Sequence, residues 1–188
     1  TEDRNRETNR RLRGTDRGFN ILPRVSFYRF LSFAQRVVAE VLGPLPDEWL
    51  PSSGAFTGGA STSRSRLRSH PANKYVGQAD VTAEAEYLVD VIHHEVPLFR
   101  ERGVFYDLRV VEGASLFTVP KKTDIDRCAC KEPDVNMFLQ KGVGNHIRRS
   151  LLKAGINLND QSINRRLAYS GSVTGELATL DLSAASDS

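Results

Sequence analysis

Two strand-like runs between segments with helical spacing limit the fold of this chain most strongly. Residues 104–111 and 116–120 are rich in β-branched and aromatic residues, and the intervening residues 112–115 include turn-forming glycine and serine. This pattern predicts a β-hairpin. Together with the helical segments on both sides, it predicts an α+β fold.

The first predicted helix begins after Ser26, which can cap its N-terminus, and ends at Gly43 and Pro44. Before it, residues 1–18 hold almost nothing apolar, so we expect a flexible arm there. The helix carries one apolar stripe, which we expect to be core: Val25, Phe30, Leu31, Ala34, Val37, Val38, Val41 and Leu42.

Three further helices follow from the same spacing. One covers about 82–95, with Asp80 or Thr82 as its cap and Pro97 just beyond its end. The next opens at Pro133 and runs toward residue 153, and a short one covers about 160–169 and gives way to Gly171. Residues 177–182 are predicted to form a strand. The inward positions expected for the helix at 82–95 are Ala85, Leu88, Val89 and Ile92.

The charge of the chain is small overall but unevenly distributed. The formal net charge is +3, yet residues 1–74 carry 13 Lys/Arg against 7 Asp/Glu, whereas residues 75–116 carry 3 against 8. Residues 117–188 carry 10 against 8, so two basic segments flank an acidic one. Two such segments suit a polyanionic partner that contacts particular faces, and they equally suit an ordinary solvated surface. No apolar run approaches the roughly 18 residues of a membrane span, so no membrane partner is expected.

The chain has two cysteines, Cys128 and Cys130. On a strand their side chains point the same way, at a spacing too short for an easy disulfide. This favours a reducing compartment, and we expect both cysteines to be buried by packing rather than bound to zinc.

A loop of small residues at 51–63 precedes three arginines on alternate positions, Arg64, Arg66 and Arg68. Free backbone N–H groups, hydroxyls and arginines can hold the phosphates of RNA. A flexible surface loop is the alternative. Arg165 and Arg166, on the helix predicted at 160–169, are further candidate RNA contacts.

Two sets of residues could support phosphoryl transfer. Asp181 lies where the strand at 177–182 gives way to small and hydroxyl residues, and a strand-end carboxylate can place a divalent ion, although most such aspartates cap a turn. Lys121, Lys122 and Arg127 follow the predicted hairpin and could neutralise a triphosphate. Protection of a sheet edge is the alternative for these cations.

An ordered series of motifs runs through the second half of the chain. The motifs are FTVPKKTDIDRCACKEP at 117–133, NMFLQ at 136–140, GINLNDQ at 155–161, GSVT at 171–174 and LDLSAASDS at 180–188. This ordered series resembles the replicase subunit of levivirus-type RNA bacteriophages. A less specific match to the same family is GASTS within residues 56–68.

The resemblance implies part of a right-hand polymerase, with residues 19–175 mainly in the fingers and 176–188 beginning the palm. It implies that Asp181 is the first catalytic aspartate of motif A and a ligand of Mg²⁺ (or Mn²⁺). It further implies that Lys121, Lys122 and Arg127 bind the triphosphate of the incoming nucleotide. Asp187 resembles the later carboxylate of motif A that helps to recognise the ribose hydroxyl, and Ser186 is a second candidate for that role.

The implied activity is that of an RNA-directed RNA polymerase that copies a single-stranded RNA phage genome by two-metal nucleotidyl transfer. Its implied partners are template and product RNA, nucleoside triphosphates, the host elongation factors Tu and Ts and a ribosomal protein, in the cytoplasm of the infected bacterium. Motifs B and C of this polymerase family do not occur in these 188 residues, so we expect the 188-residue chain to be inactive on its own. The alternatives are a reverse-transcriptase-like palm polymerase and a basic RNA-binding module without catalysis.

Overall fold

The computed structural model describes residues 3, 6, 7, 9, 10, 20–44, 53–123 and 125–178. The chain divides into two compact units, residues 1–44 with 150–188 and residues 45–149. The flexible arm predicted at 1–18 lies almost entirely outside the described residues, as do Asp181, Ser186 and Asp187. Helices and strands both occur, which fits the α+β class, while the assignment to fingers and palm stays a prediction.

From residue 20 the first unit contains two short antiparallel strands, β1 (Asn20–Leu22) and β2 (Val25–Ser26), followed by helix α1 (Phe27–Leu42). Ser26 Oγ accepts a hydrogen bond from the backbone N–H of Arg29, at 3.3 Å. At the other end Gly43 takes a positive φ of 64° and donates its N–H to Ala39 O. The predicted bounds and both caps of this helix are therefore confirmed.

The prediction that the apolar stripe of α1 is core is wrong for the described residues. None of the residues of α1 is buried, and Phe30 and Val38 remain 51% and 54% exposed. Helical periodicity identifies the face that a helix can bury, but burial also needs a second surface. The described part of the chain does not supply one.

The other long helix of this unit, α6 (Ser162–Thr174), continues past the predicted end near residue 169 and through Gly171. Gly175, with φ of 70°, ends it instead. A Cβ at Gly171 would lie 2.9 Å from the Cβ of Leu177, so this glycine admits the returning chain rather than terminating the helix. The prediction of a strand from 177 fails for Leu177 and Ala178, which have no regular structure, and its other residues lie outside the described part.

The second unit contains a parallel pair of strands joined by short helices. Strand β3 (Ala79–Thr82) pairs with β4 (Leu108–Val111), with Ala79 opposite Leu108. Between them lie α2 (Ala83–Glu86), α3 (Leu88–Glu95) and α4 (Pro97–Glu101). The helix predicted at 82–95 is confirmed except for a break at Tyr87, and Ala85, Val89 and Ile92 face the core as expected.

The predicted hairpin of residues 104–111 with 116–120 is wrong in its pairing. Strand β4 pairs with β3, whereas β5 (Ser115–Lys122) forms an antiparallel hairpin with β6 (Ile125–Lys131). Strand composition shows which residues favour an extended backbone but not which strands pair. Cys128 and Cys130 lie on β6 and are exposed, which contradicts the expectation that they are buried.

Aromatic side chains form the centre of the second unit. Phe138, on helix α5 (Asp134–Lys153), packs against Phe56 at a ring-centroid distance of 5.5 Å and against Phe99 and Phe105 at 5.8 Å each. Tyr75 packs edge-on against Phe56 at 4.9 Å. Helix α5 confirms the helix predicted from Pro133 toward residue 153. Its first turns contribute Val135, Phe138 and Leu139 to the core.

Gly54 is the position in this core where an added methyl group should be most costly. A Cβ there would lie 2.1 Å from Cε1 of the buried Phe138 ring. We expect Gly54→Ala to lower the free energy of unfolding of the second unit by about 1–3 kcal/mol, because a packed ring has no free volume to enter. Pulse proteolysis in urea measures this change.

Gly58→Ala is the matched control for that experiment. Gly58 lies in the same loop, has no strained φ, and has no heavy atom within 4 Å of the point that a Cβ would occupy. Its substitution should leave the urea midpoint unchanged or slightly higher. Equal midpoints for the two variants would contradict tight packing at Gly54.

Candidate nucleic-acid interface

A buried carboxylate organises the polar part of the second unit. Asp134, the first residue of α5, accepts hydrogen bonds from Ser61 Oγ (to Oδ1, 2.6 Å), from Ser63 Oγ (to Oδ2) and from the backbone N–H of Asp80 (to Oδ2, 3.0 Å). Its position at a helix N-terminus is also favourable for a negative charge. Asp134 therefore joins the serine segment 61–63, strand β3 and helix α5.

Asp80 forms the second buried carboxylate contact. It is fully buried on β3 and accepts two hydrogen bonds from Arg109, from Nε and from one terminal nitrogen, both at 2.9 Å. Burial raises the pKa of Asp80, but the hydrogen bonds from Arg109 and the guanidinium charges of Arg109 and Arg64 outweigh it, so the pKa lies below its usual value. Asp80 is thus a charged partner of Arg109 rather than the helix cap predicted for it.

Thr82, the alternative cap, does not use its side chain as a cap either. Its Oγ1 accepts a hydrogen bond from Asn136 Nδ2 at 2.9 Å, and its backbone N–H donates to Asn136 Oδ1 at 3.1 Å. This reciprocal pair links β3 to the first turn of α5. Sequence reasoning missed it because the two residues are 54 positions apart.

Lys74 is a buried cation that sequence reasoning also missed. Its Nζ donates to Thr57 O at 2.8 Å and contacts Met137 Sδ at 3.3 Å. Burial lowers the pKa of Lys74, and the nearby Asp134 carboxylate partly offsets this effect. The lysine therefore fastens the loop that contains Thr57 and does not reach outward to a ligand.

Arg64 and the two serines beside it are engaged inside the protein. The guanidinium of Arg64 donates to Val76 O at 2.8 Å, to Asn73 O at 3.4 Å, and to Oγ and O of Ser63 at 3.1 and 3.4 Å. The hydroxyls of Ser61 and Ser63 donate to Asp134. These groups hold the loop in place, and a phosphate contact of Arg64 stays a prediction.

Arg66 and Arg68 differ from Arg64 because their side chains are exposed. They lie at the two ends of a 3₁₀ helix, Arg66–Arg68, whose middle residue Leu67 is 97% exposed. No hydrogen bond or ion pair of either side chain occurs among the described residues. Both arginines are thus placed where an RNA phosphate could reach them.

The cations Lys121, Lys122 and Arg127 lie near the closed end of the β5–β6 hairpin. Lys121 and Lys122 end β5, and Arg127 on β6 stands opposite Val119. All three are exposed, and within the described ranges none has an ion-pair partner. The structure thus brings together three predicted triphosphate contacts, at the end of a hairpin other than the one expected.

The remaining predicted RNA contacts, Arg165 and Arg166, are exposed on α6 in the first unit.

Residues 3–178, with their gaps, contain no group of three or more His, Cys, Asp or Glu that could hold a metal ion. The predicted metal ligand Asp181 lies outside them. In the same residues no helix combines the length and apolar character needed to cross a membrane.

The chain is similar to a family of known proteins along its whole length. The profile of the family described as "RNA replicase, beta-chain" matches residues 1–188. The RNA-directed RNA polymerase beta chains of Enterobacteria phage fr and Escherichia phage MS2 are each 50% identical over 137 residues, which is 71% of this chain and 25% of each of theirs. The corresponding beta subunit of Escherichia virus Qbeta is 38% identical over 163 residues, 84% of this chain and 26% of that one.

This chain spans about a quarter of the length of these curated relatives. Because the family profile covers its whole length, and its relatives are 38–50% identical over most of it, the chain belongs to the RNA replicase beta-chain family.

Proposed function

We propose that this chain acts within an RNA-directed RNA polymerase that replicates a single-stranded RNA phage genome. The observation that carries the proposal is the family match over residues 1–188, with relatives named as RNA-directed RNA polymerase beta chains. The reaction is template-directed nucleotidyl transfer, with template RNA and nucleoside triphosphates as substrates. This function would take place in the cytoplasm of the infected bacterium. Its protein partners would be the elongation factors Tu and Ts and a ribosomal protein.

The β5–β6 hairpin supports a role in nucleotide binding. Lys121, Lys122 and Arg127 present three exposed cations at one end of the hairpin, and none of them forms an ion pair among the described residues, although the exposed Asp126 lies next to Arg127. A triphosphate would supply negative charge to these cations, and charge-assisted hydrogen bonds from them would stabilise the leaving pyrophosphate. The hairpin belongs to the proposed fingers.

Asp181 is the proposed catalytic residue and ligand of Mg²⁺ or Mn²⁺ in the proposed palm segment. A carboxylate is the type of hard oxygen donor that these cations prefer, so its donor chemistry fits the ion. A bound divalent ion supplies positive charge that activates the attacking hydroxyl and stabilises the leaving group. Asp187, with Ser186 as a second candidate, is proposed to recognise the ribose of the incoming nucleotide.

The hairpin assignment predicts a change in substrate affinity. In a complete replicase beta chain that contains this sequence, Lys121→Ala with Lys122→Ala should raise the KM for nucleoside triphosphates by about 100-fold or more, because each lysine contributes a charge-assisted hydrogen bond of about 1.5–3 kcal/mol. Incorporation of labelled nucleotides on an RNA template, at varied triphosphate concentration, measures this.

Lys153→Ala, which removes an exposed lysine at the end of α5, is the matched control and should leave KM unchanged. An unchanged KM in the double variant would overturn the role of the hairpin alone. Failure of the complete unmodified chain to incorporate nucleotides on RNA, with its partners present, would overturn the proposed function itself.

A further inference from the structure

The 3₁₀ helix Arg66–Arg68, called here the arginine tip, combines an exposed apolar side chain with two exposed cations. Leu67 is 97% exposed, and the guanidinium groups of Arg66 and Arg68 have no partner among the described residues. A 3₁₀ helix has about three residues per turn, so the three side chains point roughly 120° apart and the arginines flank the leucine. The tip thus offers an apolar side chain between two cations.

The base of the tip is held firmly. The backbones of Ser61 and Arg64 exchange hydrogen bonds at 3.1 and 3.3 Å, and the Arg64 guanidinium reaches Val76 O at 2.8 Å. Within the tip, Arg68 N–H donates to Ser65 O at 3.0 Å, and Ser69 Oγ donates to Arg66 O at 2.8 Å. A backbone fixed by these bonds loses little conformational entropy when the tip binds a ligand, so the entropic cost is confined to the exposed side chains.

The charge of the tip points to a polyanion. Beside Arg68 lies an open cavity of about 460 Å³ whose lining in the described part of the chain, Arg64, Arg68, Ser63, Asn73 and Val76, includes no acidic residue. Phosphate oxygens match guanidinium geometry well. The exposed leucine between the arginines adds an apolar surface, which the backbone of a nucleic acid does not use but an unstacked base does.

Double-stranded RNA hides its base faces within the stack, whereas a single strand can splay them out against a protein side chain. We infer that the arginine tip binds single-stranded RNA, with Arg66 and Arg68 on successive phosphates and Leu67 against the face of a base. The inference rests on the proposed function for its biological setting and assigns the strand form of RNA that this loop recognises.

The test uses a complete beta chain and a fluorescent 12-nucleotide single-stranded RNA, with affinity measured at several KCl concentrations. Arg66→Ala with Arg68→Ala should lower the slope of log affinity against log salt by about 1.4, because each phosphate contact to a single strand contributes about 0.7. Loss of these two contacts should also lower the affinity at 0.1 M salt by about 25-fold, if affinities with and without the contacts are equal at about 1 M salt.

Leu67→Ala gives the second readout. It should weaken binding of the single strand without changing the salt slope, and it should leave binding of a 12-base-pair RNA duplex unchanged. Arg100→Ala, which removes an exposed arginine from α4 of the same unit, is the matched control and should change neither quantity.

An unchanged slope and affinity in the double arginine variant would overturn the inference. Equal losses on single strand and duplex after Leu67→Ala would overturn the assignment to unpaired RNA. Nucleotide incorporation by the unmodified chain, measured in parallel, distinguishes a failure of the proposed function from a failure of the inference about the arginine tip. Absence of incorporation counts against the proposed function, while the binding data still decide the role of the tip.

Discussion

Asp181→Asn in a complete replicase beta chain should lower template-directed nucleotide incorporation by about 1000-fold or more, with RNA affinity within about twofold of the unmodified protein. Asparagine keeps the size of the side chain but removes the negative charge that a hard divalent cation requires. A 1000-fold loss corresponds to about 4 kcal/mol of transition-state stabilisation. Single-turnover incorporation and RNA affinity, measured on one preparation, give both quantities.

Asp90→Asn is the control for charge removal. Asp90 is an exposed aspartate of α3 with no proposed role in catalysis, so incorporation should be normal in that variant. Near-normal incorporation by Asp181→Asn would refute Asp181 as the catalytic metal ligand. A parallel loss of RNA affinity in Asp181→Asn would instead indicate that this substitution disturbs the fold. In that case Asp181→Glu, which keeps the negative charge, decides the question. Impaired incorporation by Asp181→Glu with normal RNA affinity would support a catalytic role for Asp181.

The helix ends were predictable from the sequence because their signals are local. Ser26 and Gly43 bound α1 through hydrogen bonds to residues three and four positions away, and Pro133 directly precedes α5. Local backbone chemistry decides such ends whatever the rest of the chain does. Gly171 shows the limit of this reasoning, since its contact with Leu177, rather than a helix end, accounts for it.

Strand pairing and the buried polar contacts were not predictable, because both depend on residues distant in sequence. Strand β4 lies next to β3 rather than β5, although its composition suited either partner. Ser61 and Asp134, 73 positions apart, and Asp80 and Arg109, 29 apart, carry no sequence pattern that pairs them. Nonlocal contacts of this kind follow only from the three-dimensional arrangement.

The residues of the candidate interface show the same difference between what the sequence predicts and what only the structure shows. The sequence indicated which cations were available, and the structure distinguishes Arg64, whose guanidinium holds the loop, from the exposed Arg66 and Arg68. Exposure and internal hydrogen bonding decide that difference, and neither can be read from three arginines on alternate positions. Lys121, Lys122 and Arg127 were predicted as one cluster and do share the end of one hairpin.

Asp134→Ala should be the most destabilising single substitution among the polar residues of the second unit, with a loss of about 3 kcal/mol or more. Removal of the carboxylate leaves the Asp80 N–H and the hydroxyls of Ser61 and Ser63 without their acceptor. Each buried polar group left unpaired costs about 1–3 kcal/mol. The loss also removes the negative charge that partly compensates the buried Lys74.

Amide hydrogen exchange followed by mass spectrometry measures this local stability in a complete chain. Protection of residues 79–82 and 134–140 should fall in Asp134→Ala. Glu84→Ala, which removes an exposed carboxylate from the first turn of α2, should change protection by no more than about 0.5 kcal/mol. Unchanged protection in Asp134→Ala would contradict the central position of this carboxylate.

Asp134→Asn separates hydrogen bonding from charge. An amide oxygen at the Oδ2 position can still accept from Ser63 and from the Asp80 N–H, while its NH₂ group donates to Ser61 Oγ, so we expect a loss of only about 1–2 kcal/mol. If the Ala variant alone also exposes the amides of residues 61–68 to exchange, the hydrogen bonds of Asp134 anchor the arginine tip. Equal exposure in both variants would assign that anchoring to the charge of the carboxylate.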